Sequence, residues 1–554
     1  MKSNKIRLTA GLLGLAMLVA VIAASLPAPG AEAAVTKHSY SGAAPFFNDY
    51  WNSVYSLDNG GSIDTFFDTL PPTDNTSNFC SLATTSYPGI NGRTVTVDSF
   101  ARVYNESLND PNFAEGILIY QCIQYKVKHP EEEVYLYYSS YRTSVTAAVC
   151  VDRNSKYFGY MRSLFDCEYD NFGFVRISFM LVEAARMGIH VTVLPQLDSY
   201  GRKQYSATAS GHLATRANLS YHTYFSDALN RKCYAAYESG KKVSDFFNYA
   251  KVEWAINESG TEMHHIKACL ASHYLDKDGA ERGPGVFFTS ANLDENDYLG
   301  RNGNNGMQTG VILTGHEEVY RVTKNYLDLI ARYRGRDDVS RFRDYVYRTQ
   351  TAQADLILAG RGGEIDPREQ LIYLGSDTDD VFEMYFTPLP GPLAVWNTTY
   401  DPYCKYITEM ARSQGSKIFT WNVAQSENSN DFTYTFDDII SEAFHRNRNV
   451  NNRLYMHYAA FNGSKYNDLT VGKDIGFRKV NTSVPAVHSK DVLMAYDTEN
   501  GRKYVSIINS CNFHSTALFF ESNHILVIKE TADNHGVFTS LGVKTTQGAI
   551  RATD

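Results

Sequence analysis

The 554-residue chain lacks any Cys-x-x-Cys pair among its eight cysteines, which argues against a structural zinc site, whose ligands come in such close pairs. It has no excess of basic charge: 52 Lys and Arg against 61 Asp and Glu leave a formal net charge of −9. That balance excludes a general polyanion-binding surface. Beyond the N-terminus there is no long apolar run, so no membrane-spanning helix is expected there. The one apolar stretch, Leu12 to Ala24, follows Lys2, Lys5 and Arg7 and precedes the small-residue site Ala31-Glu32-Ala33. Residues 1–33 therefore read as a secretory signal, with an uncleaved anchor as the alternative. The expectation is an exported protein, extracellular or periplasmic, after cleavage near Ala33. Export permits disulfides, and Cys150 with Cys167, or Cys80 with a later partner, are the candidates.

What the chain does have is a pattern that occurs twice. His265-Ile266-Lys267 is followed by Ser290-Ala291-Asn292, and His488-Ser489-Lys490 by Ser510-Cys511-Asn512. Alternating apolar residues around the motifs (Ile266, Ala268 and Leu270; Val487 and Leu493) predict strands. On a strand, residues i and i+2 share a face, so each His projects with its Lys and each Ser with its Asn. Two neighbouring strands would then present an imidazole, a cation, a hydroxyl and an amide to one point. Lysine suits a phosphate oxygen as a point charge, and the neutral groups can donate to the other oxygens. Fifteen histidines give about one His-x-Lys by chance, so a single copy means little. The competing reading is a pair of structural histidines at strand ends. Two copies with similar spacing to Ser-x-Asn favour phosphoryl transfer through histidine.

These residues resemble the phospholipase D superfamily, whose monomeric members carry His-x-Lys-x4-Asp and Gly-Ser-x-Asn twice. The resemblance extends over roughly Ile90 to Lys529. Each half is expected to place a first strand (Val134 to Tyr138; Val381 to Phe386) and a helix–strand unit (Phe174 to Leu194; Phe436 to Tyr458) before its motif. In the first such unit Val175, Phe179 and Val182 would share a helical face, and Gly188 would stop the helix. The implied fold class is α/β: two similar lobes, each a mixed β-sheet flanked by helices, related by a pseudo-two-fold axis. The expected organisation is a signal at 1–33, an irregular extension at 34–89, a first lobe at 90–360 and a second at 361–554. Gly360 to Pro367 (GRGGEIDP) is the best break between the lobes. Arg301 to Gly306 (RNGNNG) reads as a surface loop, and the arginines of Arg332 to Arg348, interleaved with aspartates, as solvated helix.

The chain departs from the family pattern in particular places. Ser272 and Ala495 stand where each motif aspartate belongs, with Asp276, Asp278 and Asp497 nearby, and Thr289 and Asn509 replace the glycine. The acidic residue that orients each histidine in the family is matched in the second half by Glu521, while the first half offers Gln308.

The resemblance implies that His265, Lys267, Ser290, Asn292, His488, Lys490, Ser510, Asn512 and Glu521 form one site. His265 would attack phosphorus, and His488 would protonate the leaving alcohol and then activate water. No metal or other cofactor is expected, because imidazole and lysine supply the acid, base and positive charge. Cys269 and Cys511 are expected to be buried small residues rather than nucleophiles. The leading expectation is a secreted, monomeric phospholipase D that yields phosphatidic acid and free head group, or transfers the phosphatidyl group to an alcohol. It would meet the membrane surface transiently. The alternatives are a nuclease or other phosphodiesterase of the same superfamily, and a non-catalytic binding descendant.

Overall fold

Short alternating segments of β-branched and aromatic residues build two large mixed sheets. A computed structural model describes residues 81–102, 111–141, 188–195, 264–292, 308–333, 339–391, 397–422 and 488–542, apart from a few single positions. It also describes the strands Ala148–Val151, Glu168–Tyr169, Phe172–Arg176, Ala250–Val252, Arg453–Ala459 and Gly476–Lys479. The expected signal segment, the RNGNNG loop and the proposed Cys80 and Cys167 pairings lie outside these residues.

The first sheet has eight strands: β1 (Ala83–Pro88), β2 (Thr94–Arg102), β3 (Tyr135–Ser140), β4 (His190–Pro195), β5 (Ala250–Val252), β6 (Ala268–Ala271), β7 (Gly285–Thr289) and β8 (Gln308–Thr314). Their order is β1-β2-β8-β7-β6-β3-β4-β5. The second sheet has seven: β9 (Phe382–Phe386), β10 (Ser416–Asn422), β11 (Arg453–Ala459), β12 (Gly476–Lys479), β13 (Val492–Thr498), β14 (Gly501–Asn509) and β15 (His524–Thr531). Their order is β9-β15-β14-β13-β10-β11-β12. From β2 onward the first sheet repeats this order strand for strand. The sense of pairing repeats too: four antiparallel neighbours, then two parallel ones. The duplication visible in the motifs is thus a duplication of sheet topology.

The sheets share one core. Val311, Leu313, Phe288 and Leu270 from the first sheet pack in the same cluster as Phe386, Leu493, Ile508, Leu526 and Ile528 from the second. Two helices follow β8: α2 (Glu317–Tyr333) and, after it, α3 (Val339–Leu358), while α1 (Pro111–Lys128) precedes β3. α2 adds Val319, Val322, Tyr326 and Ile330 to that cluster, and Tyr326 stacks on Phe386 of β9 with ring centroids 4.1 Å apart. The other face of the second sheet is covered by α4 (Pro402–Arg412), whose Tyr403, Ile407 and Met410 meet Met494, Val505 and Val527. Asp401 caps α4 by accepting from the backbone N of Tyr403 and Cys404, with Pro402 at the first helical position. The result is a mixed α/β fold in which the strand ends next to the motifs are buried.

Three expectations change. The segment 34–89 is not irregular throughout, because Ala83–Pro88 is an edge strand whose buried Thr85 and Tyr87 alternate with exposed neighbours. Val175 lies on a strand, paired with Val149, rather than on a helix; Phe179 and Val182 lie outside the described residues. Gly188 does take the left-handed conformation, with φ 86°, directly before β4. Phe382–Phe386 is not the counterpart of the VYLYY strand: it borders β15 at the sheet edge, in the place β2 holds beside β8. The counterpart of β3 is β10. Alternation predicts a buried strand but carries no information on its neighbours.

Candidate active site

The motifs meet because of hairpin geometry. β6 and β7, like β13 and β14, are adjacent and antiparallel, so the start of one strand lies beside the end of the next. Each His-x-Lys occupies the extended run entering β6 or β13, and each Ser-x-Asn follows the end of β7 or β14. The amide N of Thr289 donates to Lys267 O at 3.2 Å, and the side chain of Asn509 donates to Lys490 O. Thr289 and Asn509, standing in place of glycine, shape the Ser-x-Asn turns themselves. Thr289 Oγ1 accepts from Ala291 N at 3.0 Å, and Asn509 Oδ1 from Cys511 N at 2.8 Å.

The two halves hold each other's imidazoles. His265 Nδ1 lies 2.7 Å from Ser510 O and 3.1 Å from Asn523 Oδ1. A carbonyl oxygen only accepts, so Nδ1 carries the proton and Nε2 keeps the lone pair. His488 Nδ1 donates to Gln308 Oε1 at 3.0 Å, which leaves its Nε2 for proton transfer in the same way. His265 is fully buried, its amide N bonded to Ser522 O at 2.8 Å. Burial above all, then the charges of Lys267, Lys490 and His488, push its pKa well below the usual imidazole range; the Asn523 hydrogen bond opposes this. His265 is thus neutral near pH 7 and can act as a nucleophile. His488 is only partly buried.

Lys267 and Lys490 are both buried, and each Nζ donates to the carbonyl of its own motif histidine, at 2.9 and 2.7 Å. Asn292 and Asn512 are buried as well. Ser290 and Ser510 hold neighbouring carboxamides. Ser290 Oγ donates to Gln308 Oε1 at 2.7 Å, and Ser510 Oγ to Asn523 Oδ1 at 3.0 Å. Each also accepts a backbone N–H, from Thr309 or His524. The serines fix the amides that fix the histidines.

Glu521 is near the site, but Asn523 is the side chain on His265. Glu521 sits in the bend before β15, where its Oε2 is 3.4 Å from Asn523 Nδ2. Register explains the shift. Ser510 N donates to His524 O as Ser290 N donates to Thr309 O, so Asn523 is the counterpart of Gln308. Burial raises the Glu521 carboxyl from 4.5 to about 7, against the pull of Asn523, Lys267 and Lys490. The folded state therefore binds its proton more tightly than the unfolded chain does. That contribution to stability is complete below pH about 4.5 and is lost as pH rises through about 7. A Glu521→Gln variant should flatten the fall in stability over this window. Denaturant midpoints measured from pH 4 to 8 test this; parallel curves for variant and wild type would refute it.

Several groups at the site have no sequence signal. The Tyr141 ring stands 5.0 Å from the His265 ring and 5.6 Å from Lys267 Nζ, forming a wall over both. His524 stacks on Phe288 at 4.6 Å, buried, and lies within the field of both lysines. Asp491, directly after Lys490, accepts from Thr309 Oγ1 of the other half at 3.1 Å. The nearby aspartates do not stand in for the missing motif acid. Asp276 pairs with Arg282 and Asp497 with Arg502 in their hairpins. Ser272 Oγ accepts from Tyr135 N, and Ala495 is buried in β13. Cys269 and Cys511 are free and buried, their thiols pushed up by burial, as small interior residues are.

No family model matches the chain, and no curated protein matches it. Among solved structures, it is similar to phosphatidylserine synthase of Haemophilus influenzae Rd KW20, at 11% identity and a TM-score of 0.42, over 79% of this chain and 85% of that one. It is also similar to a variant of yeast tyrosyl-DNA phosphodiesterase, at 10% identity and a TM-score of 0.29, over 62% and 80% of the two chains. Both likenesses are loose at these values. In this chain, two His-x-Lys and Ser-x-Asn sets, on matching strand ends of two sheets of one topology, converge on one buried cluster.

Proposed function

We propose that the chain is a phosphodiesterase of the phospholipase D superfamily that works through a phosphohistidine. The observation that carries this is the crossed anchoring of the imidazoles, His265 by Ser510 and Asn523, His488 by Gln308, beside two buried lysines. His265 Nε2 attacks phosphorus while the P–O bond to the leaving alcohol breaks, and protonated His488 gives that oxygen its proton. His488, now neutral, takes a proton from water as the water oxygen bonds to phosphorus. The P–N bond breaks, and both histidines return to their starting states. Lys267, Lys490, Asn292 and Asn512 stabilise the charge on the equatorial oxygens, in a dry setting where such donors count most. An alcohol in place of water would give transfer instead of hydrolysis.

The finer reading is a secreted phospholipase D acting at a membrane surface, supported by the N-terminal signal pattern and the acidic balance of the chain. An acidic protein of net charge −9 is a poorer fit to nucleic acid. The test is turnover by the mature protein on phosphatidylcholine vesicles beside single-stranded DNA. Choline release without DNA cleavage is the expected result. DNA cleavage alone overturns the lipid reading and leaves the phosphodiesterase, while silence on a broad panel of phosphodiesters overturns both.

A further inference from the structure

Gln308 and Asn523 hold matching places in the two sheets, and both are carboxamides. Each precedes the residue whose carbonyl accepts from the motif serine N, Thr309 at 2.9 Å and His524 at 3.2 Å. The oxygen of each accepts the serine hydroxyl and meets Nδ1 of the other half's histidine, at 3.0 and 3.1 Å. A carboxylate there would stabilise the imidazolium by charge as well as by hydrogen bonding. A carboxamide fixes ring and tautomer while adding no charge. Among the described residues, the charges acting on His265 include Lys267, Lys490 and His488, with the Tyr141 ring alongside and Glu521 bonded to Asn523. His488 faces Gln308 and His265, with Lys490 Nζ on its carbonyl. The buried carboxylate Asp491 is bonded to Thr309, next to Gln308.

We propose that the Gln308 and Asn523 carboxamides are a matched pair of positioning residues that displace the enzyme's working pH to the acid side. This rests on the phosphohistidine reading above. In that mechanism one imidazole must be neutral and the other protonated, so activity follows a bell whose limbs belong to the two rings. His265 sets the acid limb and His488 the alkaline limb. Neutral partners add no charge that would hold either imidazolium, so the whole bell sits lower than carboxylate partners would set it.

Gln308→Glu is the cleaner probe. Gln308 Nε2 is buried without a hydrogen-bond partner among the described residues, so the change removes no donor that is in use. Asn523 Nδ2 donates to Ala517 O at 3.0 Å, and Asn523→Asp forfeits that bond. The experiment is the pH profile of kcat/KM on a chromogenic phosphodiester for the wild type and both variants. It is paired with titration of the ring nitrogens in histidine-labelled protein by NMR, which needs no turnover. Q308E should raise the alkaline limb and the His488 titration by about one pH unit or more, leaving the acid limb in place. N523D should raise the acid limb and the His265 titration instead. Thermal melts identify a variant that fails to fold, in which case Q308E decides alone. A folded Q308E whose His488 titration matches the wild type overturns the proposal. An inactive wild type whose His488 titration still moves in Q308E defeats the phosphohistidine reading, and with it the working-pH assignment, leaving only the ring effect.

Discussion

His265→Ala is expected to lower phosphodiester turnover by at least about 10⁴-fold, the scale on which loss of a covalent nucleophile acts. The fold should survive, because the substitution removes one ring from an interior position whose backbone is pinned by Ser522 O. The acceptor oxygen of Ser510 is left without its imidazole, at a cost of about 1–3 kcal/mol. The matching change in the other half behaves differently. With His488→Ala and a substrate whose leaving group needs no proton, such as a nitrophenolate, the first step proceeds and the second lacks its base. Intact-mass analysis after acid-free quenching should therefore find a phosphorylated chain in the His488 variant and none in the His265 variant. An adduct of equal yield in both would remove His265 from the nucleophile's role.

Phe288→Ala is expected to destabilise the protein by about 3–5 kcal/mol, the usual cost of removing a buried phenyl ring. Phe288 is fully buried in β7, in the core that both sheets share, with its partner His524 stacked at 4.6 Å from the opposite sheet. Its loss opens a cavity between the sheets, and neither sheet can close that cavity without moving strand ends that carry motif residues. Denaturant titration measures the loss, and turnover at temperatures where the variant is still folded should fall with it. A cost below about 1 kcal/mol would mean that the sheets do not depend on this contact.

The motif residues were legible because their chemistry is local. His, Lys, Ser and Asn at fixed spacing state what each hairpin end presents, and the α/β class came with the resemblance those motifs carry. What was hidden depends on register between distant segments. Glu521 attracts the reading because a carboxylate is the usual partner of an imidazole, yet the bond from Ser510 N to His524 O fixes Asn523 opposite His265. Tyr141 lies at the exit of β3, more than a hundred residues before His265, and nothing in its surroundings announces the contact. The misplacement of Phe382–Phe386 has the same origin: a buried apolar strand looks alike at the edge and the centre of a covered sheet.

The crossed hydrogen bonds of the histidines make each half the other's supplier. His265 of the first half takes its tautomer from the second, and His488 of the second takes its tautomer from the first. Neither half, folded alone, would hold a correctly aimed imidazole. On the proposed mechanism, turnover would be a property of the closed pair, and a break in the chain between the halves would be tolerated only as long as the fragments stayed clasped. The duplication has passed from redundancy into mutual dependence.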